Sequence, residues 1–133
     1  MKIEVKSREY KICSMQDNSV LFSNELNNEI SCSFFSVQLG KVVLARAINK
    51  QQLRELIKEL NPDSIIKNNL IQVRIIGGDE SQESHKYLES LISWLKEVDN
   101  DTNIINIIAL DTCSRFHPNS FELNCYHGEM RAL

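Results

Sequence analysis

The stretch Leu70-Ile71-Gln72-Val73-Arg74-Ile75-Ile76-Gly77-Gly78 decides the fold. Its β-branched apolar residues read as a strand, and the diglycine lets the backbone turn where a Cβ would clash. A helix is predicted next. Asp79 or Ser81 can cap it, and Glu80 and Glu83 stand in its first turn, where the helix dipole favours carboxylates. Leu88, Leu91, Ile92, Leu95 and Val98 recur at the spacing of one helical face, and Asp99-Asn100-Asp101 closes the segment. Ile104 to Leu110 is a second apolar run, expected as a strand buried on both faces. Strand, helix and strand in this order predict a parallel pair in one sheet.

Upstream, Lys2 to Val5, Tyr10 to Met15 and Ser19 to Phe22 read as short strands, with Asp17-Asn18 as a turn. Glu29 to Leu39 is rich in Phe and β-branched residues. Gly40-Lys41 punctuates it and Val42 to Ala47 returns, which predicts a hairpin. Asn49 with Gln52 forms a capping-box pattern ahead of Leu53, Leu56, Ile57 and Leu60, and Asn61-Pro62 stops that helix. Ser64 to Asn69 fits a short helical turn. Downstream, Asp111 to Asn119 reads as a loop, Phe121 to Tyr126 alternates, and Met130 to Leu133 fits a last short strand. Two main helices set among strands predict an α/β class: one layered mixed-sheet domain over residues 1–133. Both helices should bury their leucines on a sheet containing Val73, Ile75, Ile105 and Ile107.

A chain of 133 residues that is 42% hydrophobic can build a core of ordinary size. Its net charge is -3, without a block of like charges, so neither a nucleic-acid footprint nor a polybasic membrane patch is expected. Met1-Lys2-Ile3-Glu4-Val5-Lys6 has no apolar h-region, and no apolar run is long enough to span a bilayer. A cytoplasmic location is therefore expected, with the four cysteines at 13, 32, 113 and 125 reduced by default, although their even count permits disulfides.

Cys32 has two readings. Buried free cysteine packs as a small hydrophobe; as a nucleophile it would need a base from elsewhere in the fold, since its sequence neighbours supply none. Cys113, His117, Cys125 and His127 could form a four-ligand zinc set, although their spacing matches no common finger. The alternative is loop histidines and half-buried thiols. Gly77-Gly78 ahead of a helix fits an anion-binding loop or simply a tight connection. No G-x-G-x-x-G or Walker A lysine is present, so no cofactor is expected.

In order, Ser31-Cys32, Ile75-Ile76-Gly77-Gly78, Asp111 with Arg115, and Gly128 resemble the landmarks of the CheD-type chemoreceptor glutamine deamidases. In that family a Gly-Ser-Cys nucleophile lies on an early strand. A diglycine turn follows a middle strand, and Asp-Val-Gly-Gly with an arginine beyond ends a later one. The resemblance covers about a hundred residues by order of elements. It implies two sheets flanked by helices, α/β/β/α. It also implies a protein partner or protein substrate, with Cys32 attacking a glutamine carboxamide, ammonia leaving and water cleaving the thioester. The sequence departs from the pattern at several points. Ile30 stands where the family has glycine. The strand Val42 to Ala47 carries Arg46 where a histidine is expected, and Thr112-Cys113 replaces the later diglycine. His117 is the candidate base in its place. Two functions follow: a diverged cysteine-dependent deamidase, or a non-catalytic interaction module that keeps the fold.

Overall fold

A computed structural model describes residues 1–36, 38–60, 70–100, 104–113, 119–126 and 128–133. The elements run β1 (Lys2–Glu4), β2 (Glu9–Ser14), β3 (Val20–Ser23), β4 (Ile30–Ser36), β5 (Lys41–Arg46), α1 (Lys50–Leu60), β6 (Ile71–Gly77), α2 (Gln82–Asp99), β7 (Ile105–Thr112), β8 (Phe121–Asn124) and β9 (Met130–Ala132). The expected fold class holds: a mixed α/β domain in layers. The helical turn expected at 64–69 lies outside the described residues.

The strands form two sheets. One has the order β2-β5-β4-β6-β7 and the other β1-β3-β8-β9. The β4–β5 hairpin is antiparallel and turns at Gly40, whose φ of +63° suits glycine. As expected, β6 and β7 are parallel. The capping box of α1 is formed in both directions: Gln52 N donates to Asn49 Oδ1 at 2.8 Å, and Asn49 N donates to Gln52 Oε1 at 3.1 Å. At α2, Ser81 is the N-cap and accepts from Ser84 N at 3.2 Å.

Strand alternation divides the five-stranded sheet between two cores. Cys32, Phe34, Val43, Ala45, Val73 and Ile75 meet Leu53, Leu56 and Leu60 of α1 and Leu91 and Leu95 of α2. The expected partners Ile57, Leu88, Ile92, Ile105 and Ile107 are half-buried against that core. On the opposite face Val42 and Leu44 meet Leu21, Phe121 and Leu123 of the four-stranded sheet. Among the described residues both helices lie on one face of the five-stranded sheet, so these layers run α/β/β. A fourth layer is not among them.

Two expectations are corrected. The apolar run Ile104 to Leu110 is not buried on both faces. β7 is an edge strand, with Ile108 40% and Leu110 55% exposed. The core between the sheets takes its five-stranded side from β2, β4, β5 and β6 and contains no β7 residue. The register also shifts by one residue near Ile108, as in a β-bulge. Second, the thiols are not all free: Cys13 and Cys125 form a disulfide across the two sheets.

Candidate functional site

Cys32 lies at the third position of β4, in register with Ala45 of β5 and Ile75 of β6. Its side chain points to the helices and is 1% exposed. Burial alone pushes its thiol up to about 12, and no opposing charge or hydrogen bond brings it down. Tyr87 of α2 would feel a charge on Cys32, and its phenol donates to Ile48 O at 2.7 Å. Tyr87 is itself raised, first by burial and then by the charges that Cys32 and Glu29 would carry. A phenol held protonated cannot take a proton from a thiol at neutral pH. Cys32 therefore sits as a packed hydrophobe in an environment opposed to thiolate formation.

Arg46 is the residue on β5 where the resemblance implies a histidine. It pairs across the sheet with Ser31, not Cys32, and so points to the other face. There it clamps the chain between β3 and β4. Its Nε donates to Glu29 Oε1 at 2.8 Å, its Nη1 to Asn24 O at 2.8 Å and its Nη2 to Glu25 O at 3.0 Å. Ser7 Oγ donates to the other Glu29 oxygen. A guanidinium spread over a carboxylate and two carbonyls is a structural brace, and its fixed charge makes it no base.

The remaining landmarks are dispersed. Gly77 and Gly78 have φ of +99° and +78°, and a Cβ on Gly77 would stand 2.9 Å from Glu29 O. Gly78 N donates to that same oxygen at 2.9 Å. The diglycine is thus a close crossing of two backbones. The start of α2 is filled by its own groups: Asp79 Oδ1 accepts from Ser81 N at 2.9 Å, and Ser84 Oγ donates to Asn28 O at 2.7 Å. Carboxylates here disfavour an anion. Asp111 is exposed and lies opposite Ile76, on the face away from Cys32. His117, Arg115 and His127 lie outside the described residues. His85 is exposed on α2, with Nδ1 2.9 Å from Ser81 O. The four-ligand zinc set is not available as such, because Cys125 is consumed by the disulfide.

One cleft lies between the start of β4, the end of β5 and α2. It has a volume of about 160 Å³ and is lined by Asn28, Glu29, Ile30, Ala47, Glu83 and Tyr87. Asn28 Nδ2 donates to Glu83 Oε2 at 2.7 Å across its rim. Ala47 adopts φ +50°, a left-handed value that costs an L-residue energy, and its N–H donates to Ile30 O at 3.0 Å. The cleft offers carboxylate and amide groups over an apolar floor and no accessible nucleophile among them.

Over 69 residues, or 52% of this chain, the sequence is 59% identical to "Uncharacterized protein RC0132" of Rickettsia conorii (strain ATCC VR-613 / Malish 7), of which the match covers 92%. The chain belongs to the family of RC0132. No family model matches the chain. The name of RC0132 carries no activity, so family membership assigns no chemistry to Cys32 or to the cleft. Among the described residues, no helix is long and apolar enough to cross a membrane.

Sequence reasoning missed the Arg46 brace and the Cys13–Cys125 link. Arg46 gave a signal, since it is a charged residue in the apolar strand Lys41–Arg46. The disulfide gave none: its partners are 112 residues apart, and spacing alone cannot pair four cysteines.

Proposed function

We propose that this chain is a non-catalytic protein-interaction module of layered α/β/β architecture, in which Cys32 is a core residue. The observation that carries this reading is the setting of Cys32, enclosed between Ala45, Ile75 and the helices with its thiol pushed up to about 12. A deamidase nucleophile must be reachable by a glutamine side chain and must ionise near neutral pH. Neither condition fits a fully enclosed thiol. The partner class is protein: Ile108 and Leu110 leave an uncovered apolar segment on an edge strand, a feature of surfaces that meet other chains. The other edge strand, β2, has Glu9 and Lys11 and lacks this character.

The test is a pair of measurements on wild type and Cys32→Ala. Ammonia release from a denatured, glutamine-rich protein should equal the blank for both. The variant should keep its fold with a stability loss of about 1–2 kcal/mol. Ammonia release by wild type that disappears in Cys32→Ala would restore the deamidase reading.

A further inference from the structure

The two sheets are joined by more than apolar packing. Cys13 belongs to β2 of the five-stranded sheet, and Cys125 follows β8 of the four-stranded one. Their disulfide is buried in the core between the sheets, with Cys13 6% and Cys125 0% exposed. Beyond Cys125 the turn into β9 rests on the β4–β6 face. Arg74 Nη1 donates to Gly128 O at 3.1 Å, and Gly128 lies so close to the Phe35 ring that a Cβ there would overlap it.

The inter-sheet face of β4, on which this turn rests at Phe35, is poorly suited to dry burial. Ser31 and Ser33 are fully buried there, and neither hydroxyl has a hydrogen-bond partner among the described residues. Ser33 is in register with Arg74, which has no carboxylate within ion-pair distance among the described residues. Each unpartnered hydroxyl would gain a bond from water if the face opened. Closure therefore works against hydration, and the cross-link opposes opening.

We propose that the Cys13–Cys125 disulfide is a redox latch: it holds the β8–β9 hairpin down on the β4–β6 face, and the fold closes fully only once the chain has been oxidised. The oxidant is a small or protein disulfide. One cysteine thiolate attacks it to give a mixed disulfide and releases one thiol; the second thiolate then displaces the other sulfur. Overall, two cysteine thiols and one external disulfide become one protein disulfide and two external thiols, and the cysteine protons pass to the departing sulfurs. Both protein sulfurs are enclosed in the closed form, so exchange runs through the open form. In a reducing cytosol the chain would remain the open dithiol. This latch is independent of whether Cys32 reacts.

The experiment uses the full chain equilibrated with glutathione disulfide or with dithiothreitol. Alkylation after denaturation should count two thiols in the first sample and four in the second, with peptides containing Cys13 and Cys125 linked only in the first. Hydrogen exchange of native samples should then show amides 119–133 and 30–36 exchanging at least about tenfold faster after reduction, with α1 and α2 little changed. Cys13→Ser/Cys125→Ser should match the reduced pattern, and reduced wild type gives the same information if that variant does not fold. Four thiols in the glutathione disulfide sample would overturn the proposal. So would unchanged exchange in the hairpin, or a uniform loss of protection that includes the helices, which would make the disulfide a general staple.

Discussion

The two faces of the five-stranded sheet are built on different principles. The face toward α1 and α2 is nearly all apolar, and Phe34, Val43, Ala45, Val73 and Ile75 pack there against leucines from both helices. The face toward the second sheet mixes Val42, Leu44 and Phe35 with Ser31, Ser33, Arg46 and Arg74. The first is closed mainly by hydrophobic burial. The second also needs a disulfide and an arginine brace, because its polar residues weaken the apolar drive to close. A sheet can thus carry a self-sufficient core on one side and a conditional one on the other.

This contrast can be broken or sharpened by mutation. Phe34→Ala removes a fully buried ring from the helix face and should cost about 3–5 kcal/mol in denaturant unfolding. A loss under about 1 kcal/mol would mean that this core is not close-packed. Arg46→Ala leaves Glu29 and the carbonyls of Asn24 and Glu25 without their donor. With the pair partly exposed, the expected loss is about 2–3 kcal/mol, and it should come with faster exchange in the chain between β3 and β4. An equal loss of protection in both helices would instead place Arg46 in the main core.

Alkaline pH probes the helix face through Cys32. Its ordinary value is 9.0 and burial raises it to about 12 in the folded chain. Below 9 the thiol is protonated in both states and stability is unaffected. Between 9 and 12 the unfolded chain loses the proton and the folded chain keeps it, so stability should fall with rising pH, by up to about 1.4 kcal/mol per unit from this group. Cys32→Ala should remove that component of the slope. The smallest effect is expected at Ser33→Ala, which deletes an unpartnered buried hydroxyl from the inter-sheet face. It should leave stability unchanged or raise it by about 1 kcal/mol, whereas a loss above about 1 kcal/mol would show that the hydroxyl has a partner.

The helix face was legible in the sequence and the polar braces and disulfide of the inter-sheet face were not, for a physical reason. Leu53, Leu56 and Leu60, with Leu91 and Leu95, repeat at the helical period, and Val73 and Ile75 at the strand period. Local pattern therefore fixes which side is buried. The alternation at Phe121, Leu123 and Cys125 was equally readable. Ile104 to Leu110 misled, because a continuous apolar run does not say whether its strand is central or at an edge. At the candidate site, Ser31-Cys32 and Gly77-Gly78 were readable as motifs. Their chemistry depends on what faces them across the sheet, and that is set by register. Shifting one residue from Ala45 to Arg46 changes the face, so Arg46 cannot serve Cys32.

The central claim is that Cys32 is a core residue and not a nucleophile. Pulsed alkylation of the native protein at neutral pH, read by peptide mass spectrometry, tests it most directly. The half-buried free thiol of Cys113 serves as the internal comparison. Cys32 should stay unlabelled while Cys113 reacts, and should react readily once the chain is denatured. Labelling of Cys32 in the folded protein at or above its rate in the denatured chain would contradict the account.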